Sequence, residues 1–171
     1  MKSILTTTRL FLREFALSDA PFIRKLLNTP GWLQFIGDRG VATDGDAEQY
    51  LANGPMQSYA TNGFGLWCVC RIDDGSAMGM CGLLKRETLE HVDLGFAMLP
   101  DVCGMGYARE SATATLALAH ERLGIVKVLA IASPTNTRSI HLLEKIGFQF
   151  DRLYRQDEEA LMLFAKVLDH C

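Results

Sequence analysis

The chain has 171 residues, of which 49% are hydrophobic and 22% charged, and its formal net charge is −3. This balance is typical of a globular protein rather than a disordered one, and the length suits one domain over residues 1–171. A negative net charge offers no general attraction for nucleic acid. Residues 1–13 lack the long apolar run of a signal peptide or membrane span, so we expect a cytoplasmic protein with no membrane partner.

The cysteines form no CxxC pair and are odd in number, which predicts neither a zinc site nor a disulfide framework. Cys68 and Cys70 are separated by one residue, so in a strand they would lie on one face as small apolar side chains. The five are Cys68, Cys70, Cys81, Cys103 and Cys171.

The first third of the chain predicts a strand and a helix, followed by an irregular region. Residues 9–15 mix apolar and charged side chains and indicate a strand. Ser18 is interpreted as the N-cap of a short amphipathic helix that ends near Pro30. Residues 31–63 carry several glycines and are expected to be irregular, with one helical piece at 47–51.

The middle of the chain predicts three strands. Residues 64–72 and 78–85 are strand-like and flank the turn residues 73–75, which favours a β-hairpin. Residues 91–98 alternate apolar side chains with polar or small ones, as a strand with two different faces does.

The last part of the chain alternates helices and strands. Apolar residues at helical spacing predict a long helix from Ala108 to Gly124, and Asn136 precedes a further helix that is closed by Gly147. The order of elements predicts an α/β or α+β fold, in which a mixed sheet carries helices on both faces. The remaining strands are expected at 126–132, 148–153 and 160–168.

A glycine loop precedes the long helix. Gly104 and Gly106 allow the backbone to approach a ligand closely, and free N–H groups at a helix N-terminus attract anions, so we expect a pyrophosphate here. A dinucleotide-binding GxGxxG loop would need a small residue where the chain has Arg109, and the GK[ST] of a Walker loop is absent.

Four segments, taken in order, resemble a known family: the strand HVDLGFAMLP, the loop CGMGYA, the turn NTRS and the helix end LLEKIGF. Together they resemble the GNAT superfamily of acetyl-CoA-dependent N-acetyltransferases. The opening TTTRLFLREFALSDA and the block MGMCGLL are similar to its RimJ/RimL branch, whose members acetylate N-terminal amines of ribosomal proteins. The resemblance implies a mostly antiparallel sheet of six to seven strands, acetyl-CoA as donor without a metal, a peptide N-terminus or a small amine as acceptor, and a monomer or homodimer.

The resemblance also implies roles for individual residues. Backbone groups of Met98 and Leu99 would bind the pantetheine arm, and Asn136 would hydrogen-bond the same arm. Ser139 would lie near the sulfur and give a proton to the leaving thiolate, because Leu143 stands where many members have a tyrosine. The pyrophosphate would be held by Gly104, Met105, Gly106, Tyr107 and Ala108.

Amine acetylation needs a base or a water chain, because only the neutral nitrogen attacks the thioester. Asp93, where some members have a glutamate, is the first candidate, and His91 is the second. This branch often has a basic residue at the place of Met105, so Arg109 or Arg138 would supply the missing charge. These departures from the family pattern also leave open a sensor that binds CoA without catalysis.

Overall fold

The computed structural model describes residues 2–169. Its strands are β1 (Ser3–Thr6), β2 (Leu10–Arg13), β3 (Leu66–Arg71), β4 (Ala77–Leu84), β5 (Asp93–Met98), β6 (Lys127–Ala132), β7 (Gln149–Gln156) and β8 (Glu159–Val167). Its α-helices are α1 (Ala20–Leu27), α2 (Pro30–Phe35), α3 (Asp44–Asn53), α4 (Pro55–Asn62), α5 (Tyr107–Glu121) and α6 (Thr137–Lys145).

The eight strands form one sheet in the order β1-β2-β3-β4-β5-β6-β8-β7. Among the strands of residues 2–169, only β5 and β6 are parallel neighbours, so the expected mixed, mostly antiparallel sheet is confirmed. The sheet has more strands than the predicted six to seven because β1 pairs with β2 at its edge. β1 has four residues, two of them the polar Ser3 and Thr6, and so carries too little apolar pattern to be recognised in the sequence.

Alternate residues of the central strands build two cores, one on each face of the sheet. Trp67 and Val69 of β3 belong to the core that α5 covers with Leu116. Cys68 and Cys70, with their sulfur atoms 3.6 Å apart, belong to the opposite core, which α1 and α3 cover. The expected helices on both faces therefore bury both sides of the sheet.

The segment 31–63 is helical rather than irregular, because it contains most of α2 and all of α3 and α4. Pro30 and Pro55 stand at the first position of α2 and α4, where a proline removes no helical hydrogen bond and its fixed φ suits the helix. The Thr43 hydroxyl caps α3 by accepting the Asp46 N–H at 3.1 Å. Gly45 and Pro55 lie inside helices, so their interpretation as breakers was wrong, whereas Gly37, Gly40 and Gly54 do lie between helices. The predicted helical piece at 47–51 lies within α3.

The first helix also begins differently from the prediction. Ser18 is not an N-cap but lies inside a 3-10 turn, Leu17–Asp19, and α1 follows that turn directly. The Asp19 carboxylate accepts the Ala16 N–H at 2.9 Å and two hydrogen bonds from the Arg13 guanidinium at 2.8 and 2.9 Å. This buried ion pair joins β2 to the start of the helical layer.

The last part of the chain follows the predicted order, with α5, β6 and α6 at the expected places. β7 extends past its expected end at 153 and β8 begins one residue earlier than expected, because Arg155, Gln156 and Glu159 of the polar run 155–159 belong to the strands. The turn between them is formed by Asp157 and Glu158, whose φ angles are +48° and +71°. No helix within residues 2–169 is long and apolar enough to cross a membrane.

Candidate active site

The parallel neighbours β5 and β6 separate along their length. They pair at Asp93 and Leu129, where the Leu129 N–H donates to the Val92 carbonyl at 2.9 Å. Within residues 2–169 this is the only residue pair in the ladder between β5 and β6. Because the strands run the same way, their divergence opens a cleft at their carboxyl ends, which is where open sheets commonly bind ligands.

A cleft of about 460 Å³ lies at this separation, with walls from α2, α3, the ends of β4 to β6, α6 and the β7–β8 turn. Asp93 and Ser139, the two residues predicted for catalysis, both line it, together with Asn136 and Leu143. His91 precedes β5 and does not line the cleft. Of the two residues predicted as the base, Asp93 therefore lies in the same cleft as Ser139, and His91 does not.

The Asp93 carboxylate is buried in the wall of this cleft. The residue is 1% exposed, and its two oxygens accept from the Arg86 Nε at 3.1 and 3.2 Å. Burial raises the pKa of Asp93 above its ordinary value, although the charge and the hydrogen bond of Arg86 oppose the rise. A carboxylate with a raised pKa is a stronger base than an exposed aspartate, as proton removal from an ammonium group requires.

Asn136 and Ser139 lie at the start of α6. The Asn136 Oδ1 accepts the Ser139 N–H at 3.3 Å and so caps the helix. The amide nitrogen of Asn136 and the hydroxyl of Ser139 make no hydrogen bond within residues 2–169. Both groups therefore remain able to contact a ligand in the cleft.

Met98 and Leu99 differ in what their backbones can offer. The Leu99 N–H donates to the Met78 carbonyl at 2.8 Å, and the Leu99 carbonyl accepts the Val102 N–H at 3.1 Å. Backbone groups alternate sides along a strand, so those of Phe96 and Met98 point away from β4, toward the side of β6. The predicted pairing with a pantetheine arm is thus open to Met98, whereas the N–H of Leu99 is already used.

The glycine loop lies between β5 and α5. Gly104 and Gly106 have φ angles of +83° and +84°, which glycine adopts without strain. An added Cβ at Gly104 would meet no atom within 4 Å, so backbone conformation rather than crowding requires glycine there. Within residues 2–169 the N–H groups of 104–109 donate no hydrogen bond. This row of donors at a helix N-terminus has the properties of an anion site.

A cation that the sequence did not reveal lies against this loop. The Arg9 Nη1 donates to the Met105 carbonyl at 3.0 Å, and the Arg9 Nε pairs with Glu110 at 2.7 Å. Arg109 and Arg138, the residues favoured for this role, are exposed and form no ion pair within the described residues. Arg9 is therefore the arginine that the fold holds at the loop, and nothing in its local sequence indicates this long-range contact.

Arg39, Tyr50 and Arg86 also line the cleft, and no sequence motif identified them. Arg39 and Tyr50 come from the segment that was expected to be irregular, and Arg86 follows β4. Only the packing of α2 and α3 over the sheet brings these three side chains to one cavity.

The fold, the cleft and the glycine loop together define an acetyl-CoA-dependent acyltransferase. The family model described as "Acetyltransferase (GNAT) domain" matches residues 9–149, a range that includes Asp93, the glycine loop and Ser139. The chain belongs to this family and is a GNAT N-acetyltransferase.

Related proteins agree with this assignment. The relative named "Uncharacterized N-acetyltransferase YnaD" from Bacillus subtilis (strain 168) is 23% identical over 152 residues, which are 89% of this chain and 86% of the relative. The acetyltransferase from Agrobacterium tumefaciens str. C58 has a TM-score of 0.82 at 23% identity, covering 97% of this chain and 94% of that one. RimL, a ribosomal L7/L12 alpha-N-protein acetyltransferase in complex with coenzyme A, has a TM-score of 0.84 at 16% identity, covering 98% and 99%. At these identities the structures show the fold and leave the acceptor open.

Proposed function

We propose that the enzyme acetylates the α-amine at the N-terminus of a protein in the cytoplasm, as the RimJ/RimL resemblance implies, and that one domain carries the whole site. The main support for the transfer chemistry is that the buried Asp93 and the hydroxyl-bearing Ser139 line one cleft. The likeness to RimL over 98% of the chain supports the acceptor class. The cleft volume of about 460 Å³ also has room for a terminal residue beside an acetyl group.

Acetyl-CoA supplies the acetyl group as an activated thioester, and the residues of the chain fit this donor. The N–H groups of 104–109 lack protein acceptors within residues 2–169 and are available to an anion, which the dipole of α5 would attract. Backbone groups of Met98 and the amide nitrogen of Asn136 are available to an amide-bearing arm. We assign the pyrophosphate to Gly104, Met105, Gly106, Tyr107 and Ala108.

Asp93 takes the proton of the attacking amine in this proposal. An α-amine has a pKa of about 8, so most acceptor molecules arrive as ammonium at neutral pH. Arg86 orients the Asp93 carboxylate through Nε, and the raised pKa of Asp93 favours proton acceptance. In this proposal a backbone N–H of β5 that points toward β6 polarises the acetyl carbonyl.

Ser139 provides the proton for the leaving sulfur. Its hydroxyl has no protein partner within residues 2–169, and its own N–H, rather than its side chain, takes part in the helix cap. Leu143, at the position of the family tyrosine, is 1% exposed and packs in the core. Ser139 is therefore the hydroxyl of α6 that lines the cleft.

A small-molecule amine is the second candidate acceptor. Asp157 and Glu159 line the cleft and form no ion pair within residues 2–169, so they would attract a small cation. A CoA-binding sensor without catalysis is the remaining alternative from the sequence, and it predicts donor binding without turnover.

The test combines donor binding and acceptor turnover on the full chain. Acetyl-CoA should raise the thermal midpoint, whereas NAD and ATP should not, because only a ligand of the folded state stabilises it. Peptides with free N-termini should then release CoA, and mass spectrometry should find the acetyl group on the α-amine. Turnover restricted to small amines such as spermidine would replace the proposed acceptor, and stabilisation without any CoA release would identify a sensor.

A further inference from the structure

The acceptor side of the cleft carries a cluster of side chains whose remaining hydrogen-bond donors the transfer chemistry leaves free. It consists of Arg39 from the loop after α2, Tyr50 from α3 and Arg86 from the loop after β4, and all three side chains line the cleft. We call these three residues the donor cluster. Lys85 lines the same cavity and adds another positive charge.

Arg86 is held in place but not fully used. Its Nε donates to both oxygens of Asp93, whereas its two terminal nitrogens donate no hydrogen bond within residues 2–169. Its side chain is 32% exposed, so these nitrogens can be reached from the cleft. A guanidinium fixed through Nε presents its remaining N–H groups in a planar fork, the geometry that binds a carboxylate.

Arg39 and Tyr50 complete the cluster. Arg39 is exposed and forms no ion pair within the part of the chain that the structure describes. Burial raises the pKa of Tyr50, with the charges of Arg39 and Arg86 acting on it in the opposite direction, so its hydroxyl keeps its proton at neutral pH and can donate. Arg39, Tyr50 and Arg86 all line the same cavity, so a single ligand in the cleft can contact the three groups.

The other charges of the cleft are acidic and lie on different elements. Asp93 is paired with Arg86, whereas Asp157 and Glu159, at the β7–β8 turn, are unpaired within residues 2–169. An ammonium group is attracted to these acids, and an anion is attracted to Arg39 and Lys85. The cleft is therefore complementary to a molecule with an amine and an anion close together. The nearby acids repel a doubly charged phosphate more than a singly charged carboxylate, which favours the carboxylate.

We propose that Arg39, Tyr50 and Arg86 form a carboxylate-binding subsite that selects acceptors with a carboxylate close to the acetylated amine. This inference rests on the proposed function and specifies its substrate class: a peptide N-terminus with an acidic second residue. The same chemistry is present in the α-carboxylate of a free amino acid, and the experiment separates the two sources.

Two pairs of acceptors test the subsite with the full chain and acetyl-CoA. The first pair is Ser-Asp-Ala-Ala amide against Ser-Asn-Ala-Ala amide, which differ in one charge at constant shape. The second is L-serine against serinamide, which differ in the α-carboxylate. We expect kcat/KM for the Asp peptide to exceed that for the Asn peptide about tenfold, as a charge-assisted hydrogen bond would give.

Arg39→Gln should remove this preference. It should lower kcat/KM for the Asp peptide about tenfold and change kcat/KM for the Asn peptide less than about twofold. Lys25→Gln removes the same charge from an exposed position of α1 outside the cleft, and should leave the preference intact. Unchanged thermal midpoints and acetyl-CoA KM for both variants show that folding and the donor site are intact.

The outcomes separate the two proposals. Equal turnover of both peptides contradicts the subsite and leaves the proposed function standing. Turnover of L-serine but not of serinamide or either peptide contradicts the peptide acceptor and supports the subsite. Absence of turnover of all four, together with no calorimetric binding of the Asp peptide to the CoA-bound enzyme, overturns the subsite.

Discussion

The glycine loop and the acceptor side of the cleft are built in different ways. The loop offers backbone N–H groups, which any sequence with glycines at the two left-handed positions can present. The acceptor side offers side chains from α2, α3, the loop after β4 and the β7–β8 turn, which only tertiary packing brings together. The donor site can therefore stay constant across a family while the acceptor site changes with every wall residue.

The largest expected effect separates chemistry from donor binding. Asp93→Asn should lower kcat about 100- to 1000-fold at neutral pH, because a general base contributes roughly that factor. The KM for acetyl-CoA should stay unchanged, since Asp93 lines the cleft and none of the loop residues 104–108 does. Steady-state kinetics with a fixed peptide measures both values.

The pH profile of the wild-type enzyme sharpens this prediction. Asp93 must be ionised to accept a proton. The activity of the enzyme should therefore be lost as pH falls through the pKa of Asp93, which is raised above the ordinary aspartate value. Activity should also rise toward about pH 8 as the amine loses its proton. A profile for Asp93→Asn that matches the wild type in shape and height would exclude the base role.

The second prediction concerns the attachment of the helical layer that forms the acceptor wall. Burial alone would raise the pKa of Asp19, but hydrogen bonds from Arg13 and the Ala16 N–H, with the charge of Arg13, lower it below the ordinary value. Asp19→Asn should reduce the free energy of unfolding by about 3 kcal/mol at pH 7, because it leaves Arg13 buried without a counter-charge. Urea unfolding measures this difference.

The sign of the pH dependence follows from the lowered pKa of Asp19. The stabilisation is fully present above the unfolded pKa of about 3.9 and is lost as pH falls through the lower folded value. The difference between wild type and Asp19→Asn should therefore shrink below pH 4. Asp151→Asn, which breaks an exposed pair with Arg152, is the control and should cost less than about 1 kcal/mol.

The third prediction tests the donor side. Gly106→Ala forces a left-handed alanine, which costs about 1–2 kcal/mol, and places a Cβ 3.3 Å from the Arg9 Nη2. The KM for acetyl-CoA should rise about tenfold with little change in kcat at saturation. Gly75→Ala, at φ +72° in the β3–β4 turn, carries comparable strain away from the site and should leave this KM unchanged.

The sequence indicated the donor side better than the acceptor side, for physical reasons. Gly104, Gly106 and the Asn136 cap are local signals, because each acts through its own backbone segment. Arg9 and Arg86 act through contacts with residues distant in sequence or in another element, which periodicity does not record. The fold class was predictable from the order of elements and the β3–β4 hairpin from the turn residues 73–75, because both signals are local. α2 and α4 were hidden by prolines that start helices as readily as they end them.

The smallest predicted effect concerns the proton for the leaving sulfur. Ser139→Ala should lower kcat about fivefold, the equivalent of one lost hydrogen bond of about 1 kcal/mol to the leaving sulfur. Stability should not change, because the Asn136 cap uses the Ser139 N–H and not its hydroxyl. Asn136→Ala is the contrasting variant and should cost about 1 kcal/mol of stability through the lost cap. An unchanged kcat for Ser139→Ala would assign the proton to water.

The most direct test of the account is a crystal structure of the enzyme with bound acetyl-CoA. We predict that the pyrophosphate contacts the N–H groups of 104–108, that the pantetheine arm runs between β5 and β6, and that the thioester lies in the cleft with Asp93 and Ser139. Acetyl-CoA bound elsewhere, or with its thioester outside this cleft, would contradict the assignment of the active site.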